Sequence, residues 1–183
     1  MDSFLKWKPR VFSEHRLHAL IALLLDSGLR FAEALELTRD KIDMDNLLIK
    51  VKGKGEKHRI VPMSFELRRV LHRWLSKHRH ALVFPSLQGG TLNERNVRRA
   101  LKVLGKQLRI ADVRVSFHTF RHTFAVSYLR AGGNLFYLSR ILGYSSVTTT
   151  EKYLQSLGIE DLQAVHDRLS LLNPAQKTSF ARN

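Results

Sequence analysis

The sequence predicts a mainly α-helical fold with one small antiparallel β-sheet, an α+β architecture. Two observations support this prediction. Through most of the chain, apolar residues recur every three or four positions, which is the period of a helix with one buried face. The exception is the stretch 47–62, where two short apolar runs flank a glycine-rich turn, the pattern of a β-hairpin.

Each helix is predicted from its apolar face, and several also have an end signal. Ser13 and Ser64 are the expected N-caps of the first helix and of the helix after the hairpin. Thr91 precedes Glu94 by three residues, which is the spacing of a capping box. In chain order we predict helices over 14–25 and 31–38, strands over 47–51 and 58–62, a helix over 65–77, a short strand over 82–85, and helices over 91–108, 117–129, 135–142 and 159–172.

The charge balance favours a polyanionic partner. The 183 residues include 31 Lys and Arg but only 16 Asp and Glu, a formal net charge of +15 at pH 7. Proteins with a field of that sign and size most often bind nucleic acid. A basic surface that serves only solubility is the alternative.

Composition also excludes several classes of protein. Hydrophobic residues make up 44% of the chain, enough for a real core, which excludes a wholly disordered protein. The chain contains no cysteine, which excludes disulfide scaffolds and thiolate metal sites. No apolar stretch approaches the roughly 18 residues of a membrane span, and the first residues do not form a signal peptide. We therefore predict a cytoplasmic protein with no membrane partner.

The domain organisation is predicted to be simple, because the sequence shows no internal repeat and no long linker. We predict one domain over residues 12–173. An N-terminal segment or linker over 1–11 precedes it, and a flexible tail over 174–183 follows, since chain termini commonly fray.

Two basic residues follow glycine breaks. Arg30 comes two residues after Gly28 at the start of a helix, with Glu33 one turn further on. Taken alone, this pattern indicates a structural salt bridge. Lys54 lies between two glycines near the tip of the hairpin, and glycine lets the backbone approach a phosphate closely. A solvated turn lysine is the commoner interpretation.

Two further signals lie in the last third of the chain. His118 and Arg121 are three residues apart and therefore share one face of a helix, where two donors suit a phosphate. A surface pair is the alternative. Tyr144 follows a Leu-Gly pair, and Tyr153 follows a threonine-rich helix start. For either tyrosine alone, core packing is the default.

Taken together, these signals are far more specific than any one of them. Their order is Gly-Leu-Arg-x-x-Glu, a hairpin Gly-Lys-Gly, His-x-x-Arg-His, Leu-Gly-x-Ser and then a tyrosine. This order resembles the tyrosine recombinase, or phage integrase, family over nearly the whole chain, from about residue 12 to residue 153. The resemblance implies the catalytic-domain fold of that family.

The resemblance also implies an activity. Members of the family cut and rejoin DNA strands through a 3′-phosphotyrosyl intermediate. By position, Tyr153 matches the nucleophile. Arg30 and Arg121 match the arginines that clamp the non-bridging phosphate oxygens. Lys54 matches the lysine that protonates the leaving 5′-oxygen, and His118 matches the residue that assists proton transfer from the tyrosine.

The implied roles agree with phosphoryl-transfer chemistry. Negative charge gathers on the equatorial oxygens in the transition state, so fixed cations must stabilise it where no metal does. Tyrosine has an ordinary pKa near 10 and needs a base or a cationic pocket to attack near neutrality. The sequence lacks a His-Glu-x-x-His motif and a nucleotide-binding loop, and we predict no metal and no cofactor.

Two departures from the family pattern are visible. The position of Tyr144 usually holds histidine or tryptophan, which donates a hydrogen bond to the phosphate. A tyrosine hydroxyl can also donate, but its reach differs. Most relatives also carry a separate N-terminal domain that clamps DNA, whereas about ten residues precede the first helix here.

We therefore predict the catalytic domain of a site-specific recombinase that acts in DNA recombination and integration. The alternatives are a DNA-binding remnant with weak or no cleavage and a type IB topoisomerase-like enzyme that relaxes DNA. Double-stranded DNA is the predicted partner, contacted by Lys57, Thr91 and Arg95. A solvated charged face is the alternative for the basic helix over 91–108. Copies of the chain are expected to associate on DNA by exchanging the C-terminal segment 159–172, and packing of that segment on its own domain is the alternative.

Overall fold

The computed structural model describes residues 2–52, 58–110 and 115–170. It confirms a mainly helical fold with one small antiparallel sheet. The elements are α1 Asp2–Lys6, α2 Phe12–Ser27, α3 Phe31–Leu35, β1 Ile42–Asp43, β2 Leu48–Lys52, β3 His58–Pro62, α4 Phe65–Leu75, α5 Glu94–Gln107, α6 Phe117–Arg130, α7 Leu135–Leu142, α8 Thr148–Glu151 and α9 Ile159–Leu169, with one-turn 3₁₀ helices at Arg39–Lys41 and Leu154–Ser156.

By its internal contacts the chain divides into two compact units. Unit 1 comprises the described residues up to Phe124 together with Ile141–Gly143, and unit 2 comprises Ala125–Arg140 and the described residues from Tyr144 onward. The boundaries predicted at residues 12 and 173 stay predictions.

The core of unit 1 is built around α2. Leu20, Leu23 and Leu24 on this helix are fully buried. The indole of Trp74 packs against the ring of Phe12 with 5.0 Å between centroids, and other large apolar side chains complete the core. Burying so many large side chains is the main source of stability in such a unit.

The N-terminal segment forms a helix that its sequence did not predict. Phe4 in α1 is only 1% exposed. Its ring meets that of Phe120 edge to face, with 5.4 Å between centroids. Five residues are too few for a hydrophobic period to stand out, so α1 is fixed by this non-local contact.

The hairpin prediction is confirmed for the described residues. Strands β2 and β3 pair antiparallel with Leu48 opposite Pro62 and Val51 opposite Arg59, and the short β1 adds a third strand along β2. Ile49, Val51 and Val61 are buried, while the residues between them are more exposed, as expected for a sheet with one buried face. Residues 53–57 at the tip lie outside the described ranges.

Two predicted elements are shorter than expected. The helix predicted over 31–38 ends at Leu35, and the run 82–85 forms no strand in the described structure. Both differences have one cause: the Leu37 carbonyl accepts a hydrogen bond from the Val83 N–H at 2.8 Å, and the Arg39 N–H donates to the Ala81 carbonyl at 2.9 Å. These two bonds draw the chain out of the helix and leave only a single β-bridge, between Thr38 and Leu82.

The predicted N-caps have mixed outcomes. Ser64 caps α4 as predicted, since its hydroxyl accepts from the Leu67 N–H at 3.1 Å. Ser13 is not a cap, because α2 already begins at Phe12. The Glu14 carboxylate accepts instead from the backbone N–H groups of Arg10 and Val11. Asn93, not Thr91, caps α5.

Helix α9 of unit 2 leaves apolar residues in solvent. Ile159, Leu162 and Leu169 are 69%, 55% and 65% exposed. Arg130 anchors the helix, because its Nε donates to the Asp161 carboxylate and its carbonyl accepts from the Arg168 guanidinium at 2.6 Å. None of the helices in the described ranges has the length and apolarity needed to cross a membrane.

Candidate active site

Arg121 lies on α6 in unit 1 and is only 4% exposed. Its Nη1 donates to the Gly28 carbonyl at 2.6 Å and its Nη2 to the Leu142 carbonyl at 2.7 Å. These carbonyls lie at the C-terminal ends of α2 and α7, where backbone carbonyls lack intrahelical partners. These two neutral acceptors fix the plane of the guanidinium.

Gly28 is required at this position for two reasons. Its backbone has a φ of +62°, in the left-handed region that side chains disfavour. A Cβ atom here would also lie 2.3 Å from Cδ1 of Phe124 and 2.9 Å from Cδ2 of Leu142. The glycine that ends α2 thus also brings its carbonyl within reach of Arg121.

Glu33 on α3 joins two arginines. The Arg30 side chain donates to it at 3.0 Å and the Arg30 N–H at 2.7 Å, while Arg59 binds both carboxylate oxygens at 2.8 Å. Burial alone would raise the pKa of Glu33, but these hydrogen bonds from Arg59 and Arg30 outweigh it and hold the pKa below its usual range. Arg59 also donates from Nε to the Ile141 carbonyl at 2.8 Å, so the cluster is tied to the end of α7.

The remaining predicted residues of unit 1 have different environments. Arg30 is the N-cap of α3 and is exposed. Its salt bridge with Glu33 is the structural pairing that the local sequence pattern indicates. His118 is exposed in the first turn of α6, three residues before the buried Arg121. The structure brings Arg121 to the Gly28 carbonyl, two residues before Arg30. Lys54 and Lys57 lie outside the described residues.

Unit 2 brings the two predicted tyrosines together. The hydroxyl oxygens of Tyr144 and Tyr153 are 3.3 Å apart, within hydrogen-bond distance. Tyr153 follows α8 directly and is only 2% exposed, whereas Tyr144 is half-buried. The Tyr153 N–H donates to the Thr150 carbonyl at 3.0 Å, which continues the turn of α8 through the tyrosine.

A lysine completes the tyrosine cluster. Nζ of Lys152 lies 5.4 Å from the ring centroid of Tyr144 and 5.1 Å from that of Tyr153. Both distances are within the range of a cation–π interaction. One ammonium group therefore lies over both rings.

The exposed face of α5 is strongly basic. Arg95, Arg98, Arg99 and Lys102 line an open depression of about 660 Å³ together with Glu94. Arg98 also pairs with Glu94 at 3.2 Å and covers the stacked rings of Phe31 and Phe117. Arg95 and Thr91 are exposed, so the two predicted DNA contacts that the structure describes are accessible.

Sequence reasoning missed Arg59 and Lys152 as parts of these clusters. Arg59 looked like an ordinary strand residue, and its partners Glu33 and Ile141 are far away in sequence. Lys152 carried a local signal, because a cation directly before a proposed nucleophile is a charge beside the reacting group. In the described ranges, no group of three or more His, Cys, Asp or Glu side chains is placed to hold a metal ion.

Comparisons with known proteins identify the family of the chain. The model of the phage integrase family matches residues 4–158. Tyrosine recombinase XerC of Thermodesulfovibrio yellowstonii is 31% identical over 168 residues, which cover 86% of this chain and 55% of the relative. XerC of Pseudomonas savastanoi pv. phaseolicola is 33% identical over 161 residues, which cover 85% of this chain and 53% of the relative.

A solved structure shows the same fold. The crystal structure of XerA recombinase superimposes with a TM-score of 0.74 at 31% sequence identity, over 85% of this chain and 58% of that one. The chain thus spans about half the length of the curated relatives it matches. Because the family model matches most of the residues, this chain belongs to the phage integrase family.

Proposed function

We propose that this chain is the catalytic part of a site-specific DNA recombinase that cuts and rejoins strands through a 3′-phosphotyrosyl intermediate. The observation that carries the proposal is the buried guanidinium of Arg121, oriented by two backbone carbonyls. These hydrogen bonds hold a cationic group in a fixed orientation inside the protein. A phosphate in its transition state is the kind of group that such a cation stabilises.

In the proposed cleavage step, the Tyr153 hydroxyl oxygen attacks the scissile phosphorus. The bond from phosphorus to the 5′-oxygen breaks, and the 3′-phosphate becomes esterified to the tyrosine. The tyrosine proton passes to His118, and Lys54 gives a proton to the departing 5′-oxygen. A 5′-hydroxyl then attacks the phosphotyrosyl ester and gives its proton to Lys54, while His118 returns its proton to the departing Tyr153 oxygen, so that the DNA backbone and both protonation states are restored.

The arginines would stabilise the negative charge that develops on the phosphate oxygens in the transition state of each step. Arg121 and Arg30 would each donate to non-bridging oxygens, and Glu33 would hold Arg30 in place. Removing one such donor commonly costs about 10²–10³ in rate. Tyr144, which replaces the usual histidine or tryptophan, would donate from its hydroxyl to the phosphate or to the attacking oxygen.

Double-stranded DNA is the proposed substrate, and the basic face of α5 supports it. Arg95 is exposed in the depression lined by that face, and Thr91 is exposed just before the helix. Each phosphate neutralised by such a cation steepens the logarithmic salt dependence of binding by about 0.9. A salt titration of Arg95→Gln, with Arg69→Gln on α4 as the control for charge, tests this surface. A DNA substrate fits the predicted cytoplasmic location.

We further propose that copies of the chain associate on DNA through α9. The exposed Ile159, Leu162 and Leu169 support this, since apolar side chains of this size are usually covered in an assembly. Packing of α9 in an exchanged position on a neighbouring copy would cover them.

A covalent trap tests the proposed activity. The probe is a pool of duplexes with random sequence, each carrying one phosphorothiolate linkage in which sulfur replaces the bridging 5′-oxygen. Sulfur leaves without a proton, and the released thiol attacks phosphorus poorly, so the covalent complex accumulates. The reaction is run in EDTA, quenched with detergent and analysed for protein on a 3′-end. The captured sequence then serves as the substrate for all variants.

Tyr153→Phe is expected to abolish the adduct, and Tyr144→Phe is expected to retain it at a lower rate. Loss of the adduct in Tyr144→Phe alone would make Tyr144 the nucleophile. Binding of DNA with no adduct from the unmodified chain would favour the DNA-binding remnant. Relaxation of supercoiled plasmid by monomers, with no joining of two DNA molecules, would favour the topoisomerase-like activity.

A further inference from the structure

We propose that Lys152 is a positioning residue for the nucleophile: its ammonium group holds the two tyrosine rings together and favours the phenolate form of Tyr153 during attack. The proposal rests on the proposed function, because it requires Tyr153 to be the nucleophile. It adds a residue that the motifs of the sequence did not single out.

The geometry supports a joint action on both rings. Lys152 follows the last residue of the four-residue helix α8 and directly precedes Tyr153. From there its Nζ lies over the ring of Tyr153 at 5.1 Å and over the ring of Tyr144 at 5.4 Å. The hydroxyl groups of the same two rings are 3.3 Å apart. The cation and the hydroxyl contact therefore fix the pair at two separate points.

The chemistry of a phenol explains why a cation over the ring matters. When the hydroxyl loses its proton, the negative charge spreads from the oxygen into the ring. An ammonium group over the ring face then attracts the phenolate more strongly than the neutral phenol. The Tyr144 hydroxyl, within hydrogen-bond distance, can donate to the oxygen that becomes charged. Both contacts strengthen when Tyr153 loses its proton on the way to the transition state, which is the condition for raising a rate.

Two other roles for Lys152 make different predictions. A lysine that only contacts DNA would change the affinity for DNA and leave the rate at saturating protein unchanged. A lysine that protonates the leaving 5′-oxygen would be dispensable on a phosphorothiolate substrate, because sulfur leaves without a proton. A positioning residue for the nucleophile changes the rate at saturation on both substrates.

The experiment compares Lys152→Met, Lys152→Gln and Lys152→Arg on the captured duplex, with oxygen or with sulfur at the bridging position. Single-turnover adduct formation is measured at saturating protein, and DNA affinity and melting temperature are measured separately. Lys54→Ala is the control for the leaving group. Arg140→Met is the matched control for charge, because Arg140 also lies over an aromatic ring of unit 2, that of Phe136 at 5.5 Å.

We expect Lys152→Met and Lys152→Gln to slow adduct formation roughly 5- to 30-fold on both substrates, the scale of one cation–π contact. Lys152→Arg should restore most of the rate, since it keeps a cation over the rings. DNA affinity and Arg140→Met should stay within twofold of the unmodified chain. Sulfur should rescue Lys54→Ala but not Lys152→Met.

Three outcomes would overturn the proposal while the proposed function stands. They are an unchanged rate in both neutral variants, a loss confined to DNA affinity, and a loss that sulfur rescues. A fourth outcome, no adduct from the unmodified chain on either substrate, would overturn the proposed function and this inference with it. If one neutral variant does not fold, the other gives the rate.

Discussion

The two units hold their site residues in different ways. In unit 1, Arg121 is fixed by two backbone carbonyls, and Glu33 is bound by the side chains of two arginines. The Arg121 bonds and the Arg59–Glu33 pair join segments that are far apart in the sequence. In unit 2, Tyr144 and Tyr153 are nine residues apart, and the contacts that define their cluster are to each other and to Lys152.

This difference matches the role proposed for each group. Cations that stabilise a transition state act best when they are oriented before the charge develops, because no energy is then spent on reorganising them. A nucleophile forms and later breaks a bond to the substrate and must move with it. Local contacts around a one-turn helix permit such movement at a low cost in free energy. The arginines are therefore expected to be more sensitive to small changes of geometry than the tyrosines.

The largest expected effect comes from a change that keeps the charge of Arg121 but removes its planar shape. In Arg121→Lys, the three donors of the ammonium group radiate from one nitrogen and cannot reproduce the planar fork that reaches the Gly28 and Leu142 carbonyls and a phosphate. Adduct formation should fall about 10²–10³-fold at saturating protein. Single-turnover kinetics on the captured duplex measure the fall.

Arg39→Lys is the matched control for that change. Arg39 also donates to carbonyls, those of His80 at 2.9 Å and Leu75 at 2.6 Å, but it is not one of the proposed site residues. It should lower the melting temperature without a comparable loss of rate. Equal losses of rate in the two variants would mean that Arg121 is only structural.

Gly28→Ala should have the next largest effect. The positive φ and the 2.3 Å approach of the new Cβ to Phe124 together should lower the free energy of unfolding by about 2–4 kcal/mol. Chemical denaturation measures the loss. Gly90→Ala is the control, because a Cβ there meets only Ser86 Oγ at 3.8 Å. A stability equal to that of the unmodified chain would contradict the described turn.

Most of the fold could be predicted from local sequence patterns. The hairpin strands, α4, α6 and α7 are where period, caps and glycine breaks predicted them, because each is determined by residues close together in the chain. The helix predicted over 31–38 failed at Leu35 for the opposite reason. Its end is set by hydrogen bonds to residues 81–83, which no local pattern contains.

The candidate site was likewise predictable only for residues that belong to a local motif. The family motifs identified Arg121 and the two tyrosines, and the structure shows what holds each of them. The motifs did not reveal Arg59, because Arg59 and its partners Glu33 and Ile141 come from three separate parts of the chain. Nor could they show that the Gly28 carbonyl binds Arg121, since that bond joins residues 93 positions apart.

The pH dependence of the stability of Glu33→Gln tests how the arginine cluster of unit 1 is held together. The folded-state pKa of Glu33 lies below its ordinary value of 4.5, so the carboxylate stabilises the fold above that pH and loses this contribution as the pH falls through the folded-state pKa. The variant should lose about 1–3 kcal/mol of unfolding free energy at pH 7, the scale of charge-assisted hydrogen bonds.

The difference between Glu33→Gln and the unmodified chain should shrink as the pH is lowered below about 4.5, because protonation removes the same charge in the unmodified chain. Denaturant titrations between pH 7 and pH 3 measure it. Glu66→Gln, which changes an exposed glutamate in the first turn of α4, is the control. A difference that is constant with pH would show that the ionised carboxylate of Glu33 is not what stabilises the cluster.

The smallest expected effect is next to the tyrosine cluster, and it is a gain of stability where the other variants cause a loss. Thr150 in α8 is fully buried, and its hydroxyl has no hydrogen-bond partner within the described ranges. Thr150→Val keeps the shape and removes the unpaired group, so it should raise the free energy of unfolding by about 1 kcal/mol. Thr149→Val, an exposed neighbour in the same helix, should stay within about 0.5 kcal/mol. If Thr150→Val destabilises the protein instead, the Thr150 hydroxyl contributes a stabilising hydrogen bond beside Tyr153.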